Sequence, residues 1–512
     1  MKKLFLLAAL CFLSEVQAQT FEWVKSPAIN FNANPDMIGY VTATDHDNDV
    51  YLCGFVDNNY IYTDIFGDLF LKKYDSAGNL LWDKSFSGKG QVYKMVTDSQ
   101  KNILVCAAFI GNLNLGNQQL NTTEQGVQAI VLKFSPDGSL VWNQQIEINE
   151  FADVYFKSLV VDAQDNIYIG YDDFGNSYIE KLSPEGNSLM TITQNNVSLI
   201  SSVSVDNQGN IYAAGSCARF DANFNGTTAP ASFQYNSYIS KYNSLGGFQW
   251  VKYVEDITCP TPQVVANAPD EVYFCSELNG NFAFDNLAVE GPGLNFMSDF
   301  FLTKLNAEGQ FQWMREIIGN GRAYLGHRNF LNLDTQGNIY FVGSFSENIS
   351  WNSQFQSQSN GFRDALLLKY NPQGDVVLTK SVGGSGYDRF DSVSVDANGN
   401  IYLSGMGSGS FQFDSIPFAG TSLYSPFLAK LNPTLLSVSE QNSSAVSIYP
   451  NPVNNQFYLN SNQIKTLTLY NLLGQKIKEL SNRDSGIDIS DVANGTYLLK
   501  TDSGITLKLC KN

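Results

Sequence analysis

Histidine is almost absent from the sequence, since His46 and His327 are the only two copies in 512 residues. Zinc sites draw most of their nitrogen ligands from His, and Ser-His-Asp catalysis needs a His beside its nucleophile. Neither an HExxH nor a GxSxG motif occurs. The sequence therefore gives poor support to a zinc enzyme built on two or more His, or to a serine hydrolase.

Positive charge is also scarce. The chain has 31 Lys and Arg against 49 Asp and Glu, which gives a formal net charge of −18. Nucleic acids are bound by clustered Lys and Arg that release counterions from the phosphate backbone. We therefore expect no nucleic-acid partner, and we interpret the acidic balance as a solvated surface that limits self-association.

Long apolar runs are missing, and the longest begins at residue 4. Lys2 and Lys3 precede an apolar run that ends at Leu13, and a small-residue cleavage pattern ends at Ala18. A membrane-spanning helix needs about 20 apolar residues, so this run is too short. We predict that residues 1–18 are a cleaved signal peptide and that the exported chain has no transmembrane segment.

Cysteine is limited to six residues once Cys11 leaves with the signal peptide. Cys53, Cys106 and Cys275 occupy one equivalent strand position in three repeats, which favours buried small apolar side chains over disulfides. Cys217 and Cys259 flank one repeat and are the one pair for which a bridge is a reasonable hypothesis in an oxidising compartment. The sequence leaves that pairing open.

A short motif recurs seven times along the chain. Its copies begin at Asp45, Asp98, Asp162, Asp206, Asn267, Asp334 and Asp396, at spacings of 44 to 67 residues. Asp, Asn and Gly favour tight turns, through side-chain hydrogen bonds and through tolerance of positive φ. A segment such as VSVDANGNIYLSG is therefore predicted to form a strand, a turn and a second strand.

A second motif with its own turn follows each copy of the first. Its copies begin at Lys73, Lys133, Lys181, Lys241, Lys304, Lys369 and Lys430. The turn joins two more strands, so each unit is predicted to be a four-stranded antiparallel sheet. One such sheet cannot bury both faces, and units at this period stack as propeller blades or as a solenoid.

The two ends of the repeat region favour a ring over a solenoid. Most units end in a strand marked by Trp, but the last unit stops at KLNPTLL without one. The segment around Trp23 precedes the first unit and belongs to no unit of its own. If this segment completes the last sheet, the ring closes and no sheet edge stays exposed. We therefore predict an all-β fold in which residues 19–435 form a seven-bladed β-propeller.

These two motifs, followed by Trp, resemble the repeat of bacterial seven-bladed β-propeller proteins. The resemblance covers about residues 21–435. It implies the fold and little about activity, because the members share no catalytic residue set that could be carried onto this chain.

The segment after the repeats has a different character. Residues 436–446 are a polar, Ser-rich linker, and residues 447–512 alternate strands with Asn-Pro, Leu-Gly and Asn-Gly turns. This pattern predicts a small β-sandwich.

That segment closely resembles the type A C-terminal sorting domain of the type IX secretion system. The residues that carry the resemblance are Tyr449, Pro450, Asn451, Pro452, Gly474, Gly495, Tyr497 and Lys508. Cys510 departs from the family, which usually has an aliphatic residue there. The resemblance implies interaction with the type IX machinery, export across the outer membrane, and a product that is anchored at the surface or released.

One turn has the spacing of a calcium loop. Asp45, Asp47 and Asp49 alternate as the ligands of such loops do, because calcium needs several convergent oxygens. The alternative is that Asp45 is a turn former, like its counterparts in the other repeats. Calcium is the one cofactor that the sequence suggests.

Other chemistry is suggested by aromatic and acidic residues outside the two motifs. The long loop of the fourth unit carries Phe220, Phe224, Phe233 and Tyr235, which we predict as ligand contacts because loops of closed repeat folds carry binding. Phe282/Phe284, Ile349/Trp351 and Phe411/Phe413 recur in equivalent places and are expected to pack the sheets. Asp388 and Asp391 could serve glycoside hydrolysis, although acidic turn residues are the ordinary explanation.

We therefore predict an exported or surface-attached propeller that acts as a noncatalytic binding or adhesion scaffold for an extracellular glycan or protein. The alternative is a secreted carbohydrate-active hydrolase or lyase with its site at the propeller axis. A third hypothesis is a propeller that only spaces a surface layer.

Overall fold

A computed structural model describes residues 19–27, 39–56, 67–122, 127–146, 158–173, 175–218, 222–228, 235–255, 261–278, 281–284, 286–290, 299–319, 321–351, 355–420, 424–432, 447–460, 464–471, 475–483, 485–502 and 506–512. Every regular element in these residues is a β-strand, so the all-β prediction is confirmed. No helix in the described segments has the length and hydropathy to cross a membrane. The chain divides into two compact units, Ala18–Pro433 and a unit that contains Thr434–Asn512.

Antiparallel sheets of four or five strands follow one another along the first unit, and the described residues form seven of them when one eight-stranded sheet is divided in two. We number them in chain order and name the first strand of each its inner strand. Sheet 1 contains Val41–Thr44, Val50–Val56, Gly67–Tyr74 and the first part of Leu80–Thr97. Sheet 2 contains the second part of Leu80–Thr97, Ile103–Asn114, Val127–Phe134 and Leu140–Ile146. Sheet 3 contains Ser158–Val161, Ile167–Asp172, Ser177–Leu182 and Ser188–Gln194. Sheets 1 and 2 are thus joined through one long strand.

The remaining sheets repeat the same order. The strands of sheets 4 and 5 are Leu199–Val205, Ile211–Ala218, Tyr235–Tyr242 and Phe248–Glu255, then Gln263–Ala268, Glu271–Leu278, Asp299–Leu305 and Phe311–Glu316. Those of sheets 6 and 7 are Arg322–Leu325 with Leu331–Leu333, Ile339–Ser346, Asp364–Tyr370 and Val376–Val382, then Arg389–Val395, Ile401–Gly407, Ser425–Leu431 and Phe21–Lys25.

Short strands are inserted between the second and third strands of several sheets, and one more, Ile318–Gly319, lies between sheets 5 and 6 and pairs with Asn348–Ser350. The short strands are Gln119–Asn121, Asn223–Phe224, Thr227–Thr228, Asn281–Phe284, Leu287–Glu290, Ile318–Gly319, Asn348–Ser350, Gln356–Gln358, Ser410–Phe413 and Ile416–Ala419. Phe284, Ile349, Trp351, Phe411 and Phe413 are buried here. These side chains therefore pack against the sheets rather than face solvent. We call this end of the sheets the loop end and the opposite end, which carries the first motif, the turn end.

The inner strands form a closed ring. Each contacts the inner strands of both neighbouring sheets, and Val41–Thr44 of sheet 1 contacts Arg389–Val395 of sheet 7. The strand Phe21–Lys25 pairs antiparallel with Ser425–Leu431 and supplies the fourth strand of sheet 7. The first unit is therefore a β-propeller in which a segment from near the start of the sequence completes the last sheet.

Neighbouring sheets are held together by Trp side chains at the turn end. The indole Nε1–H of Trp250 in sheet 4 donates a hydrogen bond of 2.9 Å to the carbonyl oxygen of Ala307 in sheet 5. Gly309 has φ of +77° and lies under the same ring, where an added Cβ would stand 2.8 Å from it. The other pairs of indole donor and carbonyl acceptor are Trp23 and Ser76, Trp82 and Pro136, Trp142 and Pro184, and Trp313 and Pro372.

The first motif closes its turn around one buried carboxylate. In sheet 6, Asp334 accepts hydrogen bonds from the backbone N–H groups of Gln336 and Asn338, both at 2.9 Å, and from the Asn338 side chain at 2.8 Å. The Tyr340 hydroxyl donates to Asp334 at 2.9 Å, and Lys369 from the second motif lies 3.6 Å away. Burial alone would raise the pKa of Asp334, but these donors hold it below its ordinary value.

Sheet 5 departs from this pattern. Asn267 stands where the other copies have Asp, and its side-chain amide donates to Glu271 at 2.7 Å. The Tyr273 hydroxyl is buried and has no hydrogen-bond partner among the described residues. A single change in the motif thus leaves an unsatisfied polar group in the core.

The second unit is built from two small sheets. One contains Ile448–Tyr449, Gln456–Leu459 and Ile487–Asp488, and the other contains Lys476–Ser481, Thr466–Asn471, Gly495–Thr501 and Thr506–Lys511. Its core is mainly aliphatic, with Phe457 and Tyr497 as its aromatic members.

The two tyrosines provide a matched test of the turn. Replacing Tyr340 with Phe removes the hydroxyl donor of Asp334 and should lower the free energy of unfolding by about 1 kcal/mol. Replacing Tyr273 with Phe removes a buried hydroxyl that has no partner and should leave stability unchanged or higher. Urea unfolding of both variants beside the parent protein measures the difference, and equal losses would contradict this account of the motif.

Candidate functional site

The predicted calcium loop is occupied by protein contacts. Asp45 Oδ1 accepts from the backbone N–H groups of Asp47 and Asp49 at 3.0 Å, and Oδ2 accepts from the Tyr51 hydroxyl at 2.7 Å. Lys73 Nζ lies 3.2 Å from Asp45 and 2.9 Å from Asp49.

The third carboxylate of this loop points elsewhere. Asp47 pairs with Lys101 of the next sheet at 2.6 Å, and this hydrogen bond is the main reason that the pKa of Asp47 is lowered. Among the described side chains, no group of three His, Cys, Asp or Glu is arranged to hold a metal. The loop geometry is that of a turn neutralised by lysines and lends no support to the calcium hypothesis.

The predicted aromatic contacts of the fourth unit lie only partly within the described residues. Phe220 and Phe233 fall outside them, as does the side chain of Tyr235. Phe224 is buried, with its ring centroid 4.9 Å from that of Tyr238 and 6.1 Å from that of Tyr253. This corrects the expectation for Phe224, because its loop folds back and packs the ring against sheet 4.

The cysteines, and the acidic pair Asp388 and Asp391, have surroundings that indicate a role in the fold. Cys53, Cys106, Cys217 and Cys275 are buried, and Cys259 lies outside the described residues, so the pairing of Cys217 with Cys259 stays a prediction. Asp388 accepts backbone hydrogen bonds on both oxygens, from Gly384 at 2.8 Å and from Ser408 at 2.7 Å. Asp391 is fully buried and pairs with Arg389 at 2.6 Å. Both carboxylates thus hold the chain in place.

An exposed aromatic pair stands at the loop end between sheets 6 and 7. Phe362 is 67% exposed and Tyr387 is 46% exposed. Their ring centroids are 5.3 Å apart, with planes only 9° from parallel. In the described part of the propeller, these are the only aromatic members of the exposed large apolar side chains.

Backbone contacts fix this pair in place. The Arg363 N–H donates to the Gly386 carbonyl at 3.2 Å, and the Asp388 N–H donates to the Arg363 carbonyl at 2.9 Å. These bonds form a parallel bridge between Arg363 and Tyr387. Two loops from different parts of the chain therefore present their rings side by side.

A guanidinium adjoins the rings. The Arg363 guanidinium carbon lies 3.7 Å from the ring centroid of Tyr324 and 5.7 Å from that of Tyr387. A small cavity of about 20 Å³ lies beside it, lined by Ser344, Arg363, Tyr387, Asp388, Arg389, Met406 and Tyr424. We call Phe362, Arg363, Tyr387 and Tyr324 the aromatic site. Its only signal in the sequence was a pair of nonrepeated aromatic residues after glycines.

A second cavity lies on the ring axis. Its volume is about 290 Å³, and residues from the inner strands of all seven sheets line it. Lys94 is the only lining residue with an ionisable side chain; the others are mostly Val, Leu, Ala, Thr, Ser and Asn. His46 lies outside this cavity and lines a further cavity of about 220 Å³ at the turn end.

The sorting motif has a clear structural role. The Asn451 side chain accepts from the Cys510 N–H at 2.9 Å and donates to the Lys508 carbonyl at 2.8 Å, so it pairs with the last strand as a backbone would. The Tyr497 hydroxyl donates to the Ala493 carbonyl at 2.8 Å.

Other parts of the motif lie nearby or outside the described residues. Tyr449 is half exposed and stacks on Tyr458, with Pro450 and Pro452 following it through cis peptide bonds. Gly495 begins the strand that carries Tyr497. Gly474 lies outside the described residues.

Comparison with known proteins agrees with both parts of this architecture. Residues 447–511 match the secretion system C-terminal sorting domain. An uncharacterized WD repeat-containing protein of Acanthamoeba polyphaga mimivirus is 21% identical over 418 aligned residues, which cover 62% of this chain and 30% of the viral protein. The chain thus matches less than a third of that relative's length.

Solved structures show more distant likenesses. The Dos1 propeller has a TM-score of 0.40 at 9% identity, covering 80% of this chain and 96% of its own. A mutant apocarotenoid oxygenase from Synechocystis has a TM-score of 0.36 at 9% identity, covering 72% and 93%. These likenesses are too remote to carry a functional argument. The strand order of the first unit and the match of the C-terminal segment together show that the chain is a β-propeller followed by a type IX secretion sorting domain.

Proposed function

We propose that this chain is a noncatalytic binding scaffold, exported through its sorting domain, that binds an extracellular glycan at the aromatic site. The observation that carries the proposal is the stacked, exposed pair of Phe362 and Tyr387. Exposing large aromatic rings to water is unfavourable, so a ligand that stacks on them gains binding free energy by removing their surface from water.

The size of the site favours a sugar over a protein partner. A stable protein interface buries about 800 Å² on each side, whereas the aromatic site presents two rings and one guanidinium. Such a surface matches one or two sugar rings, whose apolar faces can lie on the aromatic planes. Arg363 can donate hydrogen bonds to hydroxyl or acidic groups at the edge of the ligand.

The rigidity of the site supports binding as well. Backbone hydrogen bonds join the two loops, and Asp388 anchors one of them through both carboxylate oxygens. A preformed site loses little conformational entropy when ligand binds. The scaffold therefore contributes affinity by fixing the rings in advance.

The alternative, a hydrolase or lyase at the axis, finds less support. Glycoside hydrolysis uses two carboxylates on opposite sides of the scissile bond. Within the described part of the axial cavity, the lining contains no Asp or Glu. Of the acidic residues beside the aromatic site, Asp388 accepts backbone N–H groups on both oxygens, and Asp364 accepts the Asn360 N–H on one oxygen.

The route to the surface follows from the two ends of the chain. We propose that residues 1–18 direct passage into the periplasm and are cleaved after Ala18. The sorting domain then engages the type IX machinery for export across the outer membrane. The propeller acts at the cell surface or outside the cell, where it meets its glycan.

Retention on immobilised polysaccharides tests the binding proposal. The parent protein should be retarded by at least one polysaccharide in affinity electrophoresis, and Phe362→Ala and Tyr387→Ala should each weaken binding by about 10-fold, because stacking on each ring is lost. Leu245→Ala is the matched control, since Leu245 is 87% exposed on a turn of sheet 4.

The same polysaccharides are assayed for soluble products. Retention without product supports the scaffold. Released oligosaccharide would favour the alternative enzyme, and unchanged retention in both aromatic variants would contradict the aromatic site.

A further inference from the structure

The axial cavity contains an unpaired cation. Lys94 lies on the inner strand of sheet 2, lines the cavity and is only 8% exposed. Among the described residues no hydrogen bond or ion pair joins its ammonium group to another side chain, and the nitrogen itself is not fully enclosed. Its neighbour across the sheet is the buried thiol of Cys106. Burial lowers the pKa of Lys94 to about 8.

Further positive charge lies at the loop end of the same axis. Arg328 adjoins the lining residue Asn329, and its side chain reaches across to Gly39 of sheet 1 and to the Tyr93 ring of sheet 2, 5.6 Å away. Arg328 Nη1 donates to the His327 carbonyl at 2.9 Å, but Nε and Nη2 are buried and have no partner in the part of the chain that the structure describes.

One carboxylate offsets these cations. Asp391 Oδ1 accepts a hydrogen bond from Arg389 Nε, and its backbone carbonyl accepts from the Arg328 N–H at 3.0 Å. Arg328 and Arg389 thus share the buried carboxylate of Asp391, and Lys94 has no carboxylate partner in the described residues. The local excess of positive charge contrasts with the net charge of −18 for the whole chain.

Such an arrangement favours an anion in the cavity. A charge that is mostly buried loses part of its hydration, and in folded proteins it is normally paired or neutralised. The chain has 49 acidic residues, yet none lines this cavity in the described segments. We propose that the axial cavity is a binding site for a small anion whose carboxylate or sulfate group pairs with Lys94.

The remaining lining suits a small polar molecule. Thr42, Ser204, Ser394 and Asn332 supply hydroxyl and amide groups around the cavity. A volume of about 290 Å³ is at the low end of small-molecule pockets, enough for an inorganic anion or a single acidic sugar. Thr44, Thr97, Leu333 and Val395 line both this cavity and the one at the turn end, which gives a route from that side.

Calorimetry on the full chain tests the site with three probes: sodium sulfate, sodium acetate and sodium glucuronate, each at constant ionic strength. At least one should bind the parent protein, and Lys94→Met should weaken its binding by about 10-fold or more, because a charge-assisted hydrogen bond is lost. Lys89→Met removes the same charge from an exposed place on the same strand and should leave binding unchanged. The relative affinities of the three salts then distinguish inorganic from organic anions.

A measurement on the unmodified protein guards against misfolding of the variant. Amine labelling followed by mass spectrometry should show that the bound anion slows modification of Lys94, while labelling of Lys89 in the same sample stays constant. Absence of binding by all three anions, or binding that survives Lys94→Met with no protection of Lys94, would overturn the proposal. Neither result depends on the aromatic site.

Discussion

The contact between a Trp ring and the turn of the next sheet is the interaction on which the propeller depends. Five indoles each donate to a carbonyl in the neighbouring sheet and cover a glycine with positive φ, namely those of Trp23, Trp82, Trp142, Trp250 and Trp313. A blade of four strands exposes two apolar faces, so it is stable only when both neighbours are present. The ring supplies those neighbours everywhere, provided that Phe21–Lys25 completes sheet 7 and places Trp23 against the turn of sheet 1.

Repeated and nonrepeated residues have different tasks in this molecule. The repeated Asp, Tyr and Lys of the two motifs build the turn end, as Asp334, Tyr340 and Lys369 illustrate. The residues proposed to bind ligands have no counterpart in the other repeats. They are Phe362 and Tyr387, with exposed rings, and Lys94, which lines the axial cavity. A carboxylate that recurs in nearly every sheet is thus explained by its turn, and a side chain without a counterpart calls for another explanation.

The fold was predictable because its signals are local. The turn motifs, the Trp strands and the unassigned segment around Trp23 each occupy a few consecutive residues, and so do the elements of the sorting domain. The site was not predictable in the same way. Phe362 and Tyr387 meet through a bridge between two loops, and Lys94 resembles any other strand lysine until the ring surrounds it. Asp45 suggested calcium because its counter-charge, Lys73, arrives from a later strand. Phe224 suggested a ligand contact because the sequence does not reveal that its ring packs against Tyr238.

Closure of the ring is the claim from which the other conclusions follow, and hydrogen exchange tests it most directly. The amides of Ser425–Leu431 are compared between the intact chain and a chain without residues 19–27. The account predicts that the amides of Leu428 and Lys430 lose protection while Ile401–Gly407 stays protected, because these two residues face the closing strand, as does Asn432, whose N–H donates to the Thr20 carbonyl. Unchanged protection of Ser425–Leu431 would show that another segment completes sheet 7 and would contradict the closed ring described here.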